Sequence, residues 1–189
     1  MYRLAILLLA AAAFGQTTYQ IDSSNSGAHF AVRHLMISTV RGSLGKITGT
    51  VQYDPESLDK SSVKATVDVK GLDTREPKRD AHLRSAEFLD AEQYPSITFE
   101  STKFWKEGNA LKVSGNLTIR GTTKPVTLTA EVSQPVKNQR DGGTKIGAQI
   151  TTKINRQDYG VAYSKVAEGG GAIAGNEVSI TIDLEATAK

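Results

Sequence analysis

Three histidines, His29, His34 and His82, are the chain's only imidazoles, and there is no cysteine. They are therefore the only candidates for a nucleophile-activating imidazole base or an imidazole metal site. His29 and His34 stand five apart, so on a regular strand they point to opposite faces and do not converge. No metal site is expected, and neither a GxSxG elbow nor an HExxH helix is present. His34 and His82 are expected to bond backbone groups or carboxylates. Two polar clusters hold the remaining chemistry: Arg79-Asp80-x-His82-x-Arg84 and Asn155-Arg156-x-Asp158-Tyr159-Gly160. Each brings an Arg and an Asp within two positions. That pairing serves either as an ion-pair lock on the backbone or as a seat for an anionic or carbonyl head group. The glycine stretch from Gly169 to Gly175 leads into a strand rather than a helix, so it cradles no phosphate and reads as a loop. The sequon at Asn116-Leu117-Thr118 falls mid-strand and reads as a chance match.

The elements that must carry these residues alternate with period two. Apolar sets run Ala28, Phe30, Val32; Ile47, Gly49, Val51, Tyr53; Val63, Ala65, Val67, Val69; Ile97, Phe99; and Leu111, Val113, Gly115, Leu117, Ile119. They continue as Val126, Leu128, Ala130, Val132; Ile146, Ala148, Ile150, Ile154; and Val178, Ile180, Ile182, Leu184. Each strand thus has one dry and one wet face, as an antiparallel sheet requires. Turns are marked at Asp54-Pro55, Glu107-Gly108-Asn109, Arg120-Gly121-Thr122, Asp141-Gly142-Gly143 and Gly169-Gly170-Gly171. One short helical segment is expected over Arg79–Phe88, with Asp80 as its N-cap. About eight such strands closing around a dry interior make a barrel. Small residues occupy inward positions on several strands: Ala28, Gly49, Ala65, Gly115, Ala130 and Ala148. They leave room for a cavity, unless Phe30, Phe99 and the helix fill that space.

The chain has 189 residues, of which 39% are hydrophobic and 23% charged, which suits one globular domain. Its net charge of +3 is dispersed in mixed sign, so no one-sided basic surface for nucleic acid is expected. Residues 1–15 read as a secretory signal peptide, with Arg3, an apolar run from Leu4 to Phe14, and Ala13 and Gly15 before a cleavage point at Gln16. Residues 16–189 form the expected domain, in the periplasm or secreted.

Several ordered motifs resemble the YceI-like family of secreted, lipocalin-like lipid-binding proteins. They are His29-Phe30-Ala31-Val32-Arg33-His34-Leu35; Leu72-Asp73-Thr74 with Arg79-Asp80-Ala81-His82-Leu83-Arg84; Tyr94-Pro95-Ser96-Ile97-Thr98-Phe99; Gly115 through Val126; and Ile154-Asn155-Arg156-Gln157-Asp158-Tyr159-Gly160. The resemblance spans Tyr19 to Leu184, with Arg120 where His is common and Tyr159 where Phe is common. It implies an all-β fold with one short helical segment, an extended antiparallel lipocalin-like barrel of about eight strands around an apolar tunnel. The implied ligand is a polyisoprenoid, an isoprenoid quinone or a fatty-acid amide, bound without catalysis and without a cofactor.

On this reading the tunnel lining comprises Phe30, Val32, Ala65, Val67, Phe99, Val113, Gly115, Leu128, Ala130, Ala148 and Ile150. Head-group contacts fall to His34, Arg79, Asp80, His82, Arg156 and Asp158. A long-chain lipid is the expected partner, with transient membrane contact and pairing of two copies. Two other readings stay open: an enzyme of lipid metabolism using His34 or His82 as base, and a self-filled stress-response barrel without ligand.

Overall fold

The computed structural model describes residues 17–140, 142–168 and 172–188. The expected signal peptide, the Gly169-Gly170-Gly171 loop and Asp141 of the Asp-Gly-Gly turn lie outside the described residues. The strands are β1 (Thr18–Ile21), β2 (Gly27–His34), β3 (Ser38–Gln52), β4 (Ser62–Asp68), β5 (Ser96–Glu107), β6 (Ala110–Ile119), β7 (Thr122–Val132), β8 (Val136–Lys137), β9 (Thr144–Asn155) and β10 (Ala174–Ala188). Eight of them close a ring, β2-β3-β4-β5-β6-β7-β9-β10 and back to β2, every pairing antiparallel. β1 bridges β10 and β3 at one end, burying Tyr19 and Ile21, and β8 adds two residues to the edge of β9.

Each of the eight alternating segments becomes a barrel strand, but β3 starts nine residues before its expected apolar set at Ile47. The alternation fails there because a bulge shifts the register between Ala28 and His29 opposite Gly45. Gly45 has φ +110°, and a Cβ at that position would lie 2.0 Å from the Asp68 carbonyl oxygen. Only glycine lets the strand coil this tightly against its neighbour. The β6–β7 hairpin turns through Arg120 and Gly121, both at positive φ, as its Arg-Gly signal indicates.

The helix, α1 (Pro77–Arg84), begins two residues earlier than expected. Its cap is Glu76, whose carboxylate accepts from the Lys78 amide at 3.2 Å, and Pro77 occupies the first turn, where a missing N–H costs nothing. Asp80 is therefore not the N-cap. It lies inside the first turn and reaches back to Thr74, accepting from its amide at 2.8 Å and its hydroxyl at 2.5 Å. Arg79 donates to the Thr74 hydroxyl and carbonyl oxygens, and Arg84 donates to the Leu72 carbonyl. These polar ties, more than an apolar stripe, hold α1 against the barrel.

The interior is divided along β6. Ile119 and Leu117 face an open space, Gly115 lies against the Phe99 ring, and Val113 and Leu111 join Leu128 and Ala130 in a packed cluster. A Cβ at Gly115 would come within 2.5 Å of Phe99 Cζ, so the missing side chain is filled by a ring from the next strand. Three of the other small residues behave alike: Ala65 pairs with Phe99, Ala130 with Leu111 and Ile150, and Ala148 with Leu184, whereas Gly49 lies opposite Ala65 and is required by the close Lys64 carbonyl. Small and large inward residues compensate across strands, and that half of the barrel is solid.

Candidate functional site

The other half encloses a cavity of about 470 Å³. Its wall comes from Phe30 and Val32 on β2, Val40 and Leu44 on β3, Leu117 and Ile119 on β6, and Val178 and Ile180 on β10. α1 closes part of its surface end with Lys78, Arg79, His82 and Leu83, one face of the helix at i, i+4 spacing. Phe88 and Leu89 follow from the turn after α1, and Tyr159, Val161 and Tyr163 from the segment after β9.

Of the expected tunnel residues, Phe30 and Val32 line this cavity. Ala65, Val67, Phe99, Val113, Gly115, Leu128, Ala130, Ala148 and Ile150 do not, because they belong to the compensated packing just described. Of the expected head-group residues, His34, Arg79, His82 and Arg156 reach the cavity wall, whereas Asp80 and Asp158 stay off it. Asp80 is committed to Thr74, and Asp158 is exposed.

Arg156 is buried, yet its partners are not carboxylates. It donates to the carbonyl oxygens of Gly175 (2.9 Å), Val161 (2.5 Å), Tyr163 (2.6 Å) and Ala174 (3.1 Å), and to Asn176 Oδ1 (3.0 Å). Burial pulls its pKa below the usual guanidinium value. The Arg156–Asp158 lock does not form; Arg156 instead fastens the segment after β9 to the start of β10. Arg120 acts similarly across the rim, donating to the Gly160 carbonyl and, at 2.8 Å, to the Ala86 carbonyl.

At the surface end, His82 meets Glu87 at 2.5 Å and packs edge-on against Phe88 (4.9 Å between centroids) and Tyr163 (5.4 Å). Phe88 and Tyr163 stack at 4.6 Å. The hydrogen bond from His82, helped by the charge of Lys165, holds the Glu87 carboxyl below the usual range. Lys165 Nζ stands 5.6 Å from the Tyr163 ring. Burial, with Asp158 next in sequence, raises the Tyr159 phenol.

Four lining side chains, His34, Lys78, Tyr159 and Tyr163, make no hydrogen bond through their polar atoms among the described residues, so they are free to meet a ligand's polar group. Sequence reasoning found His34 but not the other three as site residues. Tyr159 belongs to the Asn155–Gly160 polar cluster; for Lys78 and Tyr163 no spacing signal exists, since both depend on how α1 and the post-β9 segment fold over the barrel end.

The family model of the YceI-like domain matches residues 19–186. A UPF0312 protein of Vibrio cholerae is 38% identical over 146 residues, covering 76% of this chain and 77% of that protein. Protein YceI of Salmonella newport is 36% identical, covering 97% and 94% respectively. Among solved structures, the Campylobacter jejuni YceI protein is 28% identical with a TM-score of 0.68, covering 83% of this chain and 90% of that one. Burkholderia cenocepacia BcnA, at 24% identity, shares the fold with a TM-score of 0.76 over 87% of this chain and 98% of that one. So does a polyisoprenoid-binding domain from Saccharophagus degradans, at 14% identity and a TM-score of 0.68, covering 90% and 98%.

Proposed function

Because the chain belongs to the YceI-like domain family, we propose that it is a non-catalytic carrier of one long-chain amphiphilic lipid, exported across the inner membrane and working in the periplasm or outside the cell. The single observation that carries this reading is the cavity: an apolar wall of strand residues closed at the packed end, with unpartnered polar side chains toward α1 and the segment after β9. A chain end enters the wall and a head group meets His34, Lys78, Tyr159 or Tyr163. The Saccharophagus degradans domain of the same fold is named for polyisoprenoid binding, which favours an isoprenoid chain. Isoprenoid quinones and fatty-acid amides share that chemistry.

Transfer energetics agree. Each five-carbon unit removed from water gains up to about 4 kcal/mol before ordering costs. A cavity of about 470 Å³ lies within the roughly 300–1,000 Å³ of ligand pockets. The solid half of the barrel sets where the tail must stop. The proposal assigns no catalytic step, and Arg79 and Arg156 are held by oxygens of the chain itself.

The experiment is organic extraction of the protein purified without detergent, followed by mass spectrometry. Near one lipid per protein is the expected result. An empty protein that takes up no added polyisoprenoid or fatty-acid amide would leave a self-filled barrel.

A further inference from the structure

The surface end of the cavity carries apolar side chains that the barrel does not use. The β2–β3 hairpin turns through Leu35 and Met36, with φ 51° and 60°, and is closed by the Ile37 amide donating to the His34 carbonyl at 3.1 Å. Two consecutive left-handed residues form the tight hairpin turn that Asn-Gly favours, and branched or bulky residues hold it only with backbone strain. That strain places hydrophobes in water: Met36 is 57% exposed and Ile37 79%. The Leu35 amide donates to the Ile173 carbonyl at 3.0 Å, and the Ile173 amide to the Lys165 carbonyl at 3.1 Å. This ladder brings Val166, 64% exposed, to the same end. His34 and Ile173 line the cavity, so the exposed group borders its opening.

Charge is biased in the same place. From Ser23 to Tyr53 the chain has no carboxylate, while Arg33, Arg41 and Lys46 lie there. Arg33 clamps the turn, donating to the Met36 carbonyl at 2.6 Å and to Thr39 Oγ1 at 3.1 Å. Arg41 is exposed, faces outward two pairs along the same ladder, opposite Ala31, and has no side-chain partner among the described residues. The carboxylates bordering this region are balanced by cations of their own: Glu87 is engaged by His82, Glu177 by Lys153, Asp73 shares the Arg41 groove with Arg75, and Glu168 follows Lys165 beyond Val166.

We infer that this rim docks on an anionic lipid bilayer, with Met36, Ile37 and Val166 entering the interface, Arg33 holding the turn in shape and Arg41 meeting head-group phosphates. The inference rests on the carrier reading and gives it an entry route: the cavity opens toward the leaflet that supplies or receives the lipid. Exposed apolar residues flanked by Arg41 and Lys165 are the chemistry that an anionic interface holds.

Flotation of the protein with phosphatidylglycerol–phosphatidylethanolamine vesicles, against pure phosphatidylcholine vesicles, tests it. Wild type floats with the anionic vesicles; Ile37→Asp weakens association about tenfold or more, and Arg41→Gln about fivefold. Met36→Gly relaxes the left-handed turn, so its melting temperature rises while vesicle association falls. The inference is overturned if wild type does not float, or if Ile37→Asp floats like wild type. It is equally overturned if the vesicle-free protein is a dimer that Ile37→Asp dissociates, which would assign the patch to a second copy. Extracted lipid without flotation overturns docking and leaves the carrier standing; flotation that depends on Ile37 in a protein that never holds lipid supports docking and removes the carrier.

Discussion

Arg156 shows how far residue types alone carry an argument and where they stop. An Arg two positions from an Asp suggests a salt-bridged lock, and burial of Arg156 agrees with a structural role, but its five partners are oxygens of the chain that folds over it. Those partners lie up to 20 residues away and no local spacing announces them. Arg156→Gln is expected to cost about 3 kcal/mol, because buried carbonyls lose their donors, lowering the melting temperature by roughly 6–12 °C. Lipid should remain in the folded fraction; unchanged melting with lost lipid would make Arg156 a head-group residue instead. Glu87 gives a pH prediction of known sign. Its folded pKa is depressed by His82 first and Lys165 second, so its contribution is complete above the unfolded carboxyl range and disappears as pH falls through the depressed folded value. Titration of the Glu87 carboxyl by NMR should show a low midpoint that moves back up in His82→Gln. A normal midpoint in wild type would mean the pair does not form in solution.

Elements were legible in proportion to their regularity. Six of the alternating sets mark their strands well, whereas β3 hid its first nine residues behind a bulge and a glycine coil, and β5 its last eight, beyond Phe99, behind a bulge between Ser101 and Lys103. α1 gave a weak signal because Leu83 is its one large apolar residue, and what fixes it is Asp80, Arg79 and Arg84 reaching Thr74 and Leu72. Asp80→Ala should therefore loosen this element alone. Thr74 loses the acceptor for both its amide and its hydroxyl, worth about 1–3 kcal/mol, so amide exchange over residues 74–84 should quicken by roughly 5- to 150-fold. Barrel strands should keep their protection. Exchange that quickens equally in β6 and β9 would show that α1 is part of one cooperative unit with the barrel.

At the scale of the whole molecule, barrel closure follows from the strand count and the one-sided alternation, but the position of the cavity does not. Small inward residues were the sequence's reason for expecting space at Ala65, Gly115 and Ala130, and each turned out to be filled by a large neighbour across the ladder. Which large side chain leans over which small one depends on register and ring rotamer, and alternation records neither. The space lies instead among Val32, Val40, Ile119, Val178 and Ile180, under α1. The two halves respond differently to added volume. Gly115→Ala must displace Phe99 and the Glu100 carbonyl, each 2.5 Å from the new Cβ, so it costs about 1–3 kcal/mol of stability without touching the cavity. Val32→Phe places a ring in the cavity itself and costs the fold little. The proposed export is tested at this scale too: N-terminal sequencing of the mature protein is expected to begin at Gln16, and a retained Met1 would rule the proposed cleavage out. Whether lipid occupies the cavity under α1 is decided by native mass spectrometry of wild type, Gly115→Ala and Val32→Phe purified side by side without detergent. Wild type and Gly115→Ala are expected to carry near one lipid per folded protein and Val32→Phe to be largely empty; full occupancy of Val32→Phe, or loss of lipid from folded Gly115→Ala, would place the lipid elsewhere.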